Sequence, residues 1–301
     1  MTGQETSDRN RVRLRPPPPT DFDPFTAAEE DLKRHGLPLR PDPQTQPGMA
    51  ALWERKARRY RNFEHLEPRF EPAAATKTLV TAAPPSGSFY LSPYESCGYE
   101  LDTSGASFTA LVLTWTVPDL QYTLNPPVGP DPNLFRTFAT LTSVQGGLDV
   151  HVEMTVDSAN TVTSRLWAEF VGYVNLPVSP GDVISGSLCL DTQPPGRANY
   201  FFANETRGQT MSFTVDTGLP PATAALAGVS RNGDWQRPPL PALAQFGVVY
   251  FDEINAYTTS GWRSLTSGVA VTMVDLNGNA IATPERLTDW TFKAVRESHA
   301  S

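Results

Sequence analysis

The sequence predicts an all-β fold, an antiparallel two-sheet sandwich preceded by a proline-rich, partly helical arm, and three observations carry that reading. From about Ser88 onward, short runs rich in Val, Thr, Phe and Tyr alternate with clusters of Gly, Pro, Asn and Asp, the pattern of strands joined by turns. No convincing helix interrupts them, so the strands pair through hairpins and not through helical crossovers. The Asn277-Gly278 dipeptide, flanked by apolar runs at 271–276 and 280–282, carries the residues a tight hairpin turn requires.

The 29 prolines draw the boundary. Many fall in the first ninety residues (Pro16 to Pro19, Pro38, Pro41, Pro43, Pro47, Pro68, Pro72, Pro84 and Pro85), where each removes a backbone donor and rules out a continuous sheet or a long helix. We therefore divide the chain into an arm over residues 1–87, a sandwich over 88–297 and a tail over 298–301. Within the arm, residues 1–20 are polar and then proline-rich, which favours polyproline II. A capping box at Thr26-Ala-Ala-Glu29 starts a short helix that stops at His35-Gly36. A second helix runs from Pro47 to about Phe63. Leu52, Trp53, the Lys56 stem, Ala57, Tyr60 and Phe63 lie on it as an apolar stripe that must bury against the body or a partner. Strands are expected at 108–117, 136–144, 150–156, 164–173, 183–190, 198–204, 210–216, 246–252, 267–275 and 291–295.

Composition narrows the function classes. The 39% hydrophobic content, with 15 Phe, 9 Tyr and 6 Trp, belongs to a folded chain. The net charge of −8 is uneven: residues 1–75 hold 13 Lys/Arg against 12 Asp/Glu, leaving 11 against 20 for the rest. So acidic a body is a poor nucleic-acid binder, because phosphate is bound through Lys and Arg. The cluster Arg55, Lys56, Arg58, Arg59, Arg61 reads as the solvated face of a helix. There is no apolar run of membrane-spanning length and no signal-peptide core at the N-terminus, so the expectation is no membrane partner and a cytoplasmic location, with non-classical export left open. Cys97 and Cys189 give neither a disulfide framework nor metal-ligand spacing and are expected to be small buried residues. The Asn204-Glu-Thr206 sequon reads as a strand end, and Asp275 to Asn279 as a hairpin turn lacking the distal glutamate of a calcium loop. Tyr94, Tyr99, Trp235 and Trp262 are candidates for a groove or for core.

Two glutamates stand on neighbouring strand-like runs. Glu153 shares a face with His151 and Thr155, and Glu169 shares one with Trp167 and Val171. The turn-rich stretch 157–161 joins the runs as a hairpin. Were the faces to coincide, two carboxylates would meet, one pKa would rise, and an acid/base site would result. The bland reading leaves both in water. A metal reading through His151, Glu153 and Glu169 has suitable ligand types but no second nearby histidine, since the four lie at 35, 65, 151 and 299. We expect neither metal nor cofactor.

The order of several segments resembles the glutamic peptidases called eqolisins, in particular their bacterial relatives. These are Tyr94-Glu-Ser-Cys-Gly-Tyr-Glu-Leu101, Ser107-Phe-Thr-Ala-Leu-Val-Leu-Thr-Trp-Thr-Val-Pro118, Leu166-Trp-Ala-Glu-Phe170, Val178-Ser-Pro-Gly-Asp182, Asn204-Glu-Thr-Arg-Gly-Gln209, the stretch 243–251 and the stretch 280–287. The resemblance covers roughly residues 20–295. It implies a lectin-like, concanavalin-type jelly roll with a cleft on one curved face, where a glutamate and a glutamine on neighbouring strands activate water for peptide hydrolysis. It further implies that Glu169 is the catalytic glutamate, acting as base toward water and then as acid toward the leaving amine. No glutamine stands at the partner position: Glu153 aligns there, with His151 one same-face step before it and Gln145 upstream. Where the family carries cleft tryptophans, this chain reads Glu95-Ser-Cys-Gly98 and Phe138-Ala-Thr140, so Trp167, His151 and Phe138 are the candidate substrate-binding residues. Two functions stay open at this level. One is an acid endopeptidase acting on peptide or protein substrates through Glu169 and Glu153. The other is a catalytically inactive sandwich used for binding or assembly, with self-association through the arm.

Overall fold

Strand alternation sets the architecture. In the computed structural model, which describes residues 12–35, 37–71, 91–103, 106–124, 133–192, 195–231, 242–258 and 261–297, alternate residues of the strands face a main interior between two largely antiparallel sheets. Among the described residues the smaller sheet runs, in spatial order, Val269–Val271, Ser96–Asp102, Ala224–Arg231, Asn133–Ser143, Gly146–Val156, Val162–Ala168, Gly172–Val174 and Phe70–Glu71. The main path of the larger sheet runs Val12–Leu14, Gln209–Asp216, Pro195–Asn204, Val183–Thr192, Phe108–Thr116, Val248–Thr258, Phe292–Arg296, Ala280–Arg286 and Met273–Val274. This is the expected sandwich. Phe108, Trp115, Phe135, Leu148, Val152, Leu188, Phe202, Phe213, Phe251 and Phe292 fill its interior and are almost fully buried.

The two helices of the arm form a third layer on the outer face of the larger sheet, while its strands Val12–Leu14 and Phe70–Glu71 join the sheets themselves. Helix α1 (Glu29–Arg34) and helix α2 (Pro47–Tyr60) bury Leu32, Leu37, Trp53, Ala57 and Tyr60 against Phe22, Phe25 and Phe201, while Met49 and Leu52 reach Val112 and Trp262. The apolar stripe on α2 therefore meets the body of its own chain. The basic cluster differs from the expected solvated face: Arg55 pairs with Glu253, Arg59 with Glu205, and Lys56 sits between those carboxylates, 3.2 Å from Glu253 and 3.5 Å from Glu205. The Lys56 ammonium also donates to Thr114 (3.1 Å) and Ser185 (2.9 Å), so three of the five basic residues fasten arm to sheet.

Four local expectations are corrected. The capping box is not formed, because the Thr26 hydroxyl and amide both turn to the Asp23 carbonyl and the helix begins at Glu29. The 164–173 run is not one strand. It ends at Ala168 and resumes at Gly172, with Phe170 at φ 70°, a left-handed conformation that a strand cannot contain. The 246–252 run starts later and continues to Thr258. The strands Ser96–Asp102 and Ala224–Arg231 were not expected, since sequences such as Ala224-Ala-Leu-Ala-Gly228 lack the β-branched signature; they form because both lie inside the sheet and need small residues for close pairing. Trp235 and the 298–301 tail lie outside the described residues. Cys97 is buried, and both cysteines are free thiols.

Candidate active site

The hairpin of Gly146–Val156 and Val162–Ala168 builds the site, and its turn fixes the register. Asp157 Oδ1 accepts the amides of Ala159 and Thr161, and Asn160 takes φ 59°, which closes the turn so that Val156 faces Val162. Counting outward, Glu153 faces Arg165, His151 faces Trp167 and Val150 faces Ala168. The Glu169 amide then donates to the Asp149 carbonyl at 2.9 Å, which places Asp149, not Glu153, across from Glu169. Leu148, Val150, Val152, Leu166 and Ala168 point into the core. By alternation Asp149, His151, Glu153, Arg165 and Trp167 share the outer face of the smaller sheet, joined from the next strand by Thr140, Phe138 and Arg136.

Glu153 and Glu169 are therefore on one face but about four residues apart along the strand, roughly 13 Å, with the His151–Trp167 stack between them. They do not form the carboxylate pair expected from the sequence. Glu153 is committed elsewhere. Arg136, whose side chain is 2% exposed, donates to it at 2.7 and 3.2 Å, and the Tyr173 hydroxyl donates to its other oxygen. Burial alone would raise the Glu153 carboxyl, but the Tyr173 hydroxyl and the Arg136 guanidinium outweigh it and hold the group below its ordinary value. Burial, followed by the hydrogen bond to Glu153, pushes the Tyr173 phenol up to about 12. The Arg165 guanidinium covers the Tyr173 ring at 3.8 Å and pairs with Glu71.

Asp149 is 1% exposed and accepts from the Thr140 hydroxyl (2.6 Å) and from His151 Nδ1 (2.7 Å). With the Asp149 carboxylate as the acceptor of this contact, the imidazole carries its hydrogen on Nδ1. Burial is the largest influence on His151 and lowers its pKa despite the neighbouring Asp149, leaving a neutral ring with Nε2 as acceptor. That Nε2, 3.9 Å from Glu153 Oε2, has no hydrogen-bond partner, nor does Nε1 of Trp167, whose ring stacks on His151 at 4.6 Å between centroids. A third orphan is Oε2 of Glu169. Burial first, and the Asp149 charge second, push the Glu169 carboxyl up to about 8. The turn through Phe170 holds Glu169 at the end of its strand, and the Tyr200 hydroxyl anchors its carbonyl at 3.0 Å. Phe138, the remaining sequence candidate, is buried on the same face against Leu91, Leu226 and Val271.

A family model described as the peptidase A4 family matches residues 94–295, two thirds of the chain. The chain belongs to the peptidase A4 family. Two solved structures share its fold: SCP-B, a member of the eqolisin family of peptidases in complex with the tripeptide Ala-Ile-His, and scytalido-glutamic peptidase with a peptide-based transition-state analogue. Each is 15% identical, superposes with a TM-score of 0.52, and covers 68% of this chain and 98% of its own. No curated protein matches the chain by sequence. As an A4 family member it is of the glutamic-peptidase kind, which agrees with the resemblance read from its segments.

Sequence reasoning missed Asp149, Thr140 and Tyr200. The signal for Asp149 was present, because a tight turn at 157–161 fixes the pairing, and counting outward from it reaches Asp149 opposite Glu169. Among the described residues no group of three or more His, Cys, Asp or Glu side chains is arranged to hold a metal ion, and no helix is long and apolar enough to cross a membrane.

Proposed function

We propose that the chain is an endopeptidase whose acid/base pair is Asp149 and Glu169 on the outer face of the smaller sheet. The observation that carries this is the Glu169 carboxyl: it is half-buried beside Asp149, with its pKa pushed up to about 8 and one oxygen left without a partner. Two close carboxylates that share one proton offer a base and a hydrogen-bond donor at once. In this reading Asp149, held by Thr140 and His151, serves as the base, and Glu169, whose carboxyl is raised, holds the proton.

In the reaction Asp149 takes a proton from water as the oxygen attacks the scissile carbonyl carbon. Glu169 gives its proton to the carbonyl oxygen, forming a neutral tetrahedral diol. Asp149 then delivers its proton to the amide nitrogen as the C–N bond breaks, and Glu169 recovers a proton from the diol hydroxyl as the carboxylic acid product forms. Thr140 and His151 hold Asp149 in place. The stacked His151 and Trp167 present one acceptor and one donor, the complement of a peptide group.

The test is cleavage of a denatured protein substrate from pH 2 to 10 by wild type, Asp149→Asn and Glu169→Gln. Loss in both variants, with a wild-type limb falling near pH 8 as Glu169 ionises, is the expected result. Full activity in either variant rejects the assignment. One observation favours a second reading, peptide binding without hydrolysis: Glu153 and Arg136 neutralise each other where the resemblance calls for an uncharged amide. A folded wild type that binds peptide but cleaves at no pH selects that reading.

A further inference from the structure

On the same outer face the chain places one of its own residues in a seat built like a peptide subsite. The Leu91 side chain occupies a pocket formed by Phe138, Ala224, Leu226 and Val271, where it is 5% exposed. Its backbone amide lies outside any strand and donates to Oε2 of Glu100 at 2.9 Å, a carboxylate in a residue 2% exposed. An apolar pocket beside a buried acceptor for a main-chain N–H is how an extended peptide residue is recognised, the pocket reading the side chain and the acceptor the backbone. The floor next to it is bare by construction. Gly98 and Gly228 face each other across adjacent strands, and a Cβ on Gly228 would meet the Cys97 carbonyl oxygen at 2.1 Å.

Position links this seat to the proposed catalytic pair. Glu100 faces Leu226, Leu226 faces Thr140, Thr140 faces Asp149, and Asp149 lies across from Glu169, so all five stand in one row across the sheet. Strands lie about 4.8 Å apart, which puts Leu226 roughly 10 Å from Asp149, the length of about three extended residues.

We propose that the Leu91 seat is a recognition subsite for a branched aliphatic residue of a peptide, about three residues from the bond presented to Asp149 and Glu169, and that Leu91 occupies it as an internal competitor. The proposal rests on reading this face as the peptide-binding face, but not on hydrolysis.

The experiment titrates N-acetyl-leucine N-methylamide, with the glycine analogue as control, into full-length wild type, Leu91→Gly and Leu91→Ala, followed by NMR. Each chain is also made with Glu169→Gln, so that binding is read without turnover. Saturable binding of the leucine compound at least tenfold tighter in either Leu91 variant than in wild type, and weakened again by adding Glu100→Gln, is expected. Equal binding in wild type and a folded Leu91 variant, or no discrimination between leucine and glycine compounds, overturns it. If both variants fail to fold, wild type decides: saturating leucine compound must shift the Leu91 and Phe138 resonances in competition, and unmoved resonances reject the subsite. Binding of the leucine compound by a folded wild type that cleaves no substrate at any pH would sink the hydrolytic reading and leave this one standing.

Discussion

Replacing Glu169 with glutamine is expected to stabilise the protein at alkaline pH and leave it unchanged in acid. The carboxyl is raised from an ordinary 4.5 to about 8 in the folded state, mainly by burial. Below pH 4.5 it is protonated in both folded and unfolded chains and contributes nothing to pH dependence. Between 4.5 and about 8 the unfolded chain releases the proton while the folded chain keeps it, so stability falls as pH rises and levels off above about 8. At about 1.4 kcal/mol per pH unit, that interval corresponds to an upper bound of roughly 5 kcal/mol. Residual solvent contact at a half-buried group reduces the expectation to about 2–3 kcal/mol. Glutamine has the shape of the protonated acid and cannot ionise, so the variant escapes the loss. Urea unfolding at pH 4, 6 and 9 measures it: the two proteins should coincide at pH 4 and diverge by about 2–3 kcal/mol in favour of the variant at pH 9. A difference of the opposite sign, or one independent of pH, refutes the argument.

Other changes probe the remaining contacts. Glu153→Gln leaves the buried Arg136 without its counter-charge and is expected to cost about 3–5 kcal/mol in urea unfolding at pH 7; a loss under 1 kcal/mol would show that Arg136 finds another acceptor. Lys56→Met removes the cation between Glu205 and Glu253, so the arm should loosen, with about 1–3 kcal/mol lost and faster limited proteolysis within residues 12–71. Unaltered arm cleavage argues against the latch. Phe170→Gly relieves a left-handed backbone at a residue 36% exposed, and a Tm raised by a few degrees is expected in calorimetry, whereas a lowered Tm would show that the ring packs usefully.

The sandwich was legible because period-2 alternation and turn residues are local signals. The 183–190 and 210–216 runs were found almost in full, and the Asn277-Gly278 turn joins Met273–Val274 to Ala280–Arg286, although the expected 267–275 strand is broken, with Val269–Val271 pairing in the smaller sheet and Met273–Val274 in the larger. The Ala224–Arg231 strand was not legible, because alanines and glycines chosen for close pairing carry no strand propensity of their own. At the candidate site, residue type and strand alternation singled out Glu169, His151 and Trp167, and the roles expected of them came from the resemblance. Asp149 was passed over because the partner was sought by alignment to a glutamine and not by counting from the turn. The commitment of Glu153 to Arg136 depends on a strand outside the hairpin, and no local pattern announces it.

The arm has a consequence for how the chain is made. Val12 to Leu14 pair with Phe213 to Val215, and Phe70 and Glu71 pair with Val174 and Tyr173, so these segments have no partners until others far later in the chain are synthesised. Contacts that distant in sequence form slowly, after the intervening loop has been closed. During that interval Trp53, Tyr60 and the rest of the α2 stripe stand open to solvent, which makes the nascent arm a part of this protein in need of a chaperone, and Val12–Leu14 finds its place at the sheet edge only once Gln209–Asp216 has been made.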